Sequence, residues 1–204
     1  MKKVLIASLA IFFLGFILKF FHINFNTIIM LAGLALLFIS LSVLSIQKKI
    51  STNLSLIGFS VFSWLLLLVF SLKYFPHSGY VFFAAFALSI VTVSYVFYFK
   101  KLSKLYLLFL SAILATSFYL MPTDKRYHLM SIRWNYEIST DYITWDKYSW
   151  FLYQNKKFSQ AEMASENALQ MALSAEDQEW IDRIVEHQHA INTKSWENYN
   201  KHED

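Results

Sequence analysis

Five apolar runs, at residues 4–21, 27–46, 55–72, 80–99 and 105–121, fill most of the first 121 positions of this chain. Each approaches the roughly 20 residues that an α-helix needs to cross a hydrocarbon core about 30 Å thick. The linkers are short, and in lipid every backbone amide has to be satisfied inside its own helix, so the runs predict a bundle of helices. The opening MKKVLIASLAIFFLGF could begin a signal peptide. No A-x-A-like site follows it and four more runs do, so it reads as a retained span.

Charge adds orientation. All 14 acidic residues lie at or after Asp124, and the first 121 residues carry nine lysines and no acid. Five crossings place Lys2, Lys3, Lys48, Lys49, Lys100, Lys101 and Lys104 on one side, and only Lys19 and Lys73 on the other. Cytoplasmic loops collect Lys and Arg, which predicts a cytoplasmic N-terminus and an extracytoplasmic C-terminal tail in a bacterial inner membrane. The pI near 9.1 averages two unlike halves. Lysines clustered between apolar runs are topology signals, so no nucleic-acid partner is expected. With no cysteine in the chain, a disulfide framework and thiolate metal sites are excluded.

Lys19 and Lys73 open two similar stretches, LKFFHINFN and LKYFPHSGY. Each lysine sits about one turn before a membrane interface, where a long side chain can snorkel to the headgroups, so both are expected to be interfacial anchors. Phe20, Phe21, Tyr74 and Phe75 would join an aromatic belt, with His22 and His77 in the outer turns. A Lys/His ligand or proton site is the competing reading, but neither lysine has an acidic partner in these 121 residues. The recurring turn also marks a duplication: two parallel two-span hairpins plus a fifth span, without the inverted repeats of many transporters. The turn resembles the F-K-x-x-H turn in the membrane hairpin of the gliding-motor L subunit family of Bacteroidetes, over residues 12–44 and more loosely 66–97. That resemblance implies a helical membrane subunit that associates with its own copies. Motors of that kind use a membrane carboxylate, which is missing here, so motor activity does not carry over.

Polar residues within the runs are mostly hydroxyls, among them Ser60, Ser63, Ser89 and Thr92. Small residues gather in LAGLALL and in an Ala85, Ser89, Thr92 stripe at helical spacing. Such residues let membrane helices approach and bond across the contact, so helix packing is expected ahead of a conducting path.

Residues 122–140 read as a connector and 141–204 as a helical tail. MSIRWNYEI alternates apolar and polar side chains, a period of two that fits a strand, although an extended connector or a frayed helix fits equally. After the capping residues STD the period becomes helical. Tyr142, Trp145, Tyr148 and Leu152 share one face, QNKK forms a turn, and Phe158, Ala161, Ala164, Ala168 and Ala172 line a second helix. A third has Trp180, Ile181, Ile184, Val185 and Ile191 as its apolar face. The first two helices resemble a tetratricopeptide repeat: Trp145, Ser149, Leu152, Phe158, Ala161 and Ala168 fall on its large, small, aromatic and alanine positions. Ser165 replaces an aromatic and Leu173 stands where proline is common. The likeness covers about one and a half repeats, and three-helix packing of a general kind is the alternative. By that resemblance Ile143, Asp146, Trp150 and Tyr153 would line a groove that binds a protein.

No catalytic set is visible. There is no P-loop, no G-x-G-x-x-G and no H-E-x-x-H, and the chain has four glycines. In EHQH, His187 and His189 are two residues apart and point to different helix faces, so they read as solvent-facing rather than metal-binding. The expectation is an all-α, non-enzymatic membrane scaffold without cofactor or metal, with a five-helix bundle and a small tetratricopeptide-like tail. Its partners would be the bilayer and either another protein or its own copies. The alternative is a non-catalytic subunit of a small transport or conducting complex.

Overall fold

The structure, a computed structural model, describes residues 2–21, 23, 25–74, 78–99, 105–133 and 141–197. All regular structure among them is helical, with no strand. The chain divides into two compact units, Met1–Met121 and Pro122–Asp204.

The first unit contains α1 (Lys2–Phe20), α2 (Asn26–Ile46), α3 (Thr52–Leu72), α4 (Ser78–Tyr98) and α5 (Tyr106–Leu120). Segments within α1 to α4 are long and apolar enough to cross a membrane. The 15 residues of α5 rise only about 22 Å at ~1.5 Å per residue, short of a full hydrocarbon core.

Helix α1 lies along α2, while α3 packs against α2, α4 and α5. Two glycines set the α1–α2 distance. A Cβ at Gly33 would stand 2.6 Å from the backbone nitrogen of Phe12, and one at Gly15 would stand 2.7 Å from that of Met30. Backbone therefore meets backbone in both places, the close approach that small residues permit. Across the α3–α4 seam, the Ser60 and Thr92 hydroxyls lie 2.6 Å apart. Trp64 Nε1 donates to Ser89 Oγ at 2.7 Å, and Ser89 in turn donates to the Ala85 carbonyl. The Ala85, Ser89, Thr92 stripe is thus a packing surface for α3. At the α2–α3 turn the Ser45 and Ser55 hydroxyls sit 2.8 Å apart, and Lys48 takes a left-handed conformation (φ 51°).

The second unit opens with α6 (Thr123–Tyr127) and a π-helical turn, His128–Ile132, closed by the Arg133 N–H donating to the His128 carbonyl at 2.8 Å. Where the alternating pattern permitted a strand, residues Met130–Ile132 are therefore helical; 134–138 lie outside the described residues. Met130 and Ile132 are both buried. A segment covered on more than one side buries residues two apart whether strand or helix, so alternation could not decide between them.

Three longer helices follow: α7 (Tyr142–Gln154), α8 (Phe158–Ser174) and α9 (Gln178–Thr193). Asp141 caps α7 by accepting from the Thr144 N–H at 3.0 Å. Asp177 accepts from the Trp180 N–H at the start of α9 and from the Tyr142 hydroxyl at 2.7 Å, joining the first turns of α7 and α9. The Tyr142 bond holds the Asp177 carboxyl below the usual carboxylate range. Between α7 and α9, α8 presents Ala161, Ala164, Ala168 and Ala172, all buried. With Ser165, also buried, every side chain on that seam is small, so neighbouring helices approach closely. Leu152 and Ile191 pack at one end of it and Ile184 at the other.

Candidate functional site in the tail

Helix α7 carries the four residues expected to line a groove, and the structure separates them. Ile143 is 43% exposed. Asp146, one turn on, is fully buried, and both its carboxylate oxygens lie 3.0 Å from His187 Nδ1 on α9. The two side chains thus hydrogen-bond across α7 and α9. Asp146 consequently offers nothing to a groove surface, and the expected placement is corrected: its charge is turned inward toward α9.

His187 is corrected with it. Far from facing solvent, it is 6% exposed, and its ring stacks on the Trp196 indole at 4.5 Å and 22°. His189 is exposed, so the two histidines do diverge, with the inward and outward assignments set by the neighbours of His187. Ile184, His187 and Ile191 follow one another at spacings of three and four, which places His187 on the buried stripe of α9. That spacing was the available signal. Val185, counted on the same apolar face, is instead 49% exposed.

Trp196 is the residue that sequence reasoning missed. Helix α9 ends at Lys194 in the left-handed conformation, and the Ser195 N–H donates to the Ala190 carbonyl at 2.9 Å. The chain then turns so that Trp196 is buried against α7. Its ring centroid lies 5.0 Å from that of Trp150 and 5.8 Å from that of Tyr153, and its backbone N–H donates to the Tyr153 hydroxyl at 3.2 Å. Lys194 Nζ stands 5.0 Å from the centre of the Phe158 ring. Trp150 and Tyr153, expected to line a groove, are half-buried and packed against the core of the tail. No periodic pattern announces Trp196, because it follows the helix end.

Helix α6 closes another side of α7. Lys157 pairs with the buried Asp124 at 2.5 Å, and the Tyr127 ring lies 4.9 Å from that of Phe151. Burial pushes the Tyr127 hydroxyl up to about 12.

The bonds of this cluster tie α7, α9 and the chain beyond α9 to one another. The Ser149 hydroxyl donates to the Asp146 carbonyl within α7, at 2.7 Å, and so does not extend the Asp146–His187 pair into a relay. Among the described residues no three His, Asp or Glu side chains converge as metal ligands. In the first unit, Lys19 occupies the last turn of α1 and is half-buried, while Lys73 is exposed at the C-terminal cap of α3. His22 and His77 lie outside the described residues.

No family model matches the chain, and no curated protein or solved structure matches it.

Proposed function

We propose that this chain is an integral-membrane adaptor: α1 to α5 hold it in a bilayer, and the C-terminal helices bind a protein partner or a second copy. The observation that carries this reading is the alanine seam of α8, clasped between α7 and α9. It supports a rigid stack of consecutive helices, the architecture of tetratricopeptide-like binding modules. The first unit adds support, since its sequence contains no acid and its interhelical hydroxyls are engaged in packing. Ile143 leads the proposed contact face, because it is the exposed member of the α7 set. The lysine distribution supports a cytoplasmic N-terminus. With α5 as a fifth crossing, assisted by local thinning of the bilayer around so short a helix, the tail is extracytoplasmic.

Reporter fusions and the purified full-length chain test the two parts. Alkaline-phosphatase fusions after residue 125 are expected to be active, and fusions within 48–53 inactive; the opposite pattern would put the tail in the cytoplasm. Purified in mild detergent, the chain is expected to carry a stoichiometric protein partner or to form a defined oligomer. Ile143→Lys should abolish that association without lowering the unfolding temperature. Solute uptake by proteoliposomes containing this chain alone would sink the adaptor reading in favour of a transport subunit.

A further inference from the structure

An apolar cleft of about 320 Å³ opens in the first unit at the end that carries Lys3, Lys48 and Lys49. Its volume falls at the lower end of the roughly 300–1,000 Å³ of ligand pockets. The floor is made by α2 and α3, through buried Leu41 and Ile57. The walls are α1, through Ile6 and Leu9, and α5, through Tyr106 and Leu107. The α1 and α5 helices meet farther along, where the Phe16 and Phe118 rings pack edge to face at 5.9 Å. The cleft therefore lies between α1 and α5 on the lysine-bearing side of that aromatic contact, a wedge whose flank is exposed at Ile6 and Tyr106.

Everything that lines this wedge is apolar apart from the Tyr106 hydroxyl. Ile6 and Tyr106 at its rim are 67% and 64% exposed. At the mouth the chemistry changes. Lys3 lies two residues before the lining residue Leu5, and Lys49 five before the lining residue Leu54. The Ser45–Ser55 hydroxyl contact and the left-handed turn at Lys48 hold the α2–α3 connection there. Lys3, Lys48 and Lys49 are all exposed, and the sequence supplies no acid before Asp124 to neutralise them.

An apolar wedge that ends in uncompensated cations is complementary to one chemical class. We propose that the α1–α5 cleft binds an acyl chain of an anionic phospholipid, whose phosphate is held by Lys3, Lys48 and Lys49. The proposal rests on the membrane reading above. A zwitterionic lipid would fill the wedge equally well but would gain less from the lysines. A second copy of this chain would leave their charge uncompensated, because its own matching surface is equally basic.

The test uses the full chain in mild detergent, with phosphatidylglycerol and phosphatidylcholine of identical acyl chains added separately and bound lipid counted by native mass spectrometry. One phosphatidylglycerol per chain is expected to persist at concentrations where phosphatidylcholine is lost. Lys48→Gln and Lys49→Gln should each reduce that preference about fivefold, the usual scale for one lysine near an anionic headgroup. Leu9→Trp and Leu107→Trp, which fill the cleft from opposite walls, should each abolish retention. Photo-crosslinking the unmodified chain with a phosphatidylglycerol bearing an acyl-chain diazirine needs no variant, and labelling is expected on residues 5–9 and 106–107. Equal retention of the two lipids, or labelling spread evenly around the bundle, would overturn the proposal. So would efficient disulfide dimers of Ile6→Cys, which would show that a second copy covers the cleft. Release of the chain from membranes by alkaline carbonate would instead defeat the membrane reading itself, a result distinguishable from all of these.

Discussion

In the first unit, buried interhelical polar contacts join neutral groups: Ser60 meets Thr92 at 2.6 Å, and Trp64 donates to Ser89 at 2.7 Å. In the tail they join ionisable ones: Asp146 with His187 at 3.0 Å, and Asp124 with Lys157 at 2.5 Å. On the membrane reading proposed above, the difference follows from solvent. A bilayer makes an ionised side chain costly wherever it is exposed to lipid. Helices of the first unit are accordingly located by the fit of glycines and hydroxyls. A small domain that folds from water can bury an ion pair provided that both partners are held and hydrogen-bonded. Each unit should therefore fail in its own way when its packing is disturbed.

The largest expected effect is at Gly33. Its missing Cβ would lie 2.6 Å from the nitrogen and 2.8 Å from the Cα of Phe12. Nothing there is a flexible side-chain tip, so α1 and α2 would have to separate. Gly33→Leu should cost more than the about 1–3 kcal/mol of ordinary overpacking and remove most folded, membrane-inserted protein. Gly58→Ala is the internal control. A Cβ there meets only the Leu41 side chain, at 2.5 Å from Cδ2, and a rotamer change can relieve it. If the two variants accumulate equally, the α1–α2 backbone contact does not hold this unit together.

Legibility in the sequence divides along the same line. The boundaries of α1 to α5 lie within three residues of the apolar runs, because charged and turn-forming residues interrupt the chain where each run of hydrophobicity stops. The alanine positions of α8 and the capping residue Asp141 were equally legible, as local rules of helix chemistry. What escaped was tertiary. Ser149 and Asp146 both occupy the buried side of α7, but a carboxylate there looks like a surface residue until His187 is known to face it. Trp150 and Tyr153 were expected to line a groove, and Trp196, arriving from beyond the end of α9, packs against both rings and leaves them half-buried. Composition and period carry no information about such a return of the chain.

A second prediction concerns the Asp146–His187 pair itself. Asp146→Ala leaves buried His187 without the carboxylate and opens a small void beside Trp196. Removing the acceptor of a buried hydrogen bond costs about 1–3 kcal/mol, which is large for a unit of this size. In the full chain this should appear as a lower unfolding temperature for the tail, followed by tryptophan fluorescence, with the membrane unit unaffected. Replacing both partners, Asp146→Leu with His187→Leu, should recover much of the loss, since an apolar pair of similar volume is often neutral. If the double variant is no better than Asp146→Ala, the pair fixes the register of α7 against α9, and does more than satisfy buried charge.

The smallest expected effect is at Thr92. Thr92→Val keeps the shape of the side chain and removes one hydroxyl from the α3–α4 seam, leaving Ser60 to bond within its own helix. Interhelical hydrogen bonds in membranes average only about 0.6 kcal/mol, because a serine released from its partner can turn to a backbone carbonyl one turn back, as Ser63 already does toward Phe59 at 2.9 Å. Thr92→Val should therefore shift the unfolding of detergent-solubilised protein by less than Asp146→Ala does, even though the Ser60–Thr92 contact is shorter than the Asp146–His187 pair. If Thr92→Val is the more damaging of the two, the hydroxyls of the first unit do more than assist packing. A polar path between α3 and α4 then becomes the better account of Ser60, Ser89 and Thr92, and the transport reading gains what the adaptor reading loses.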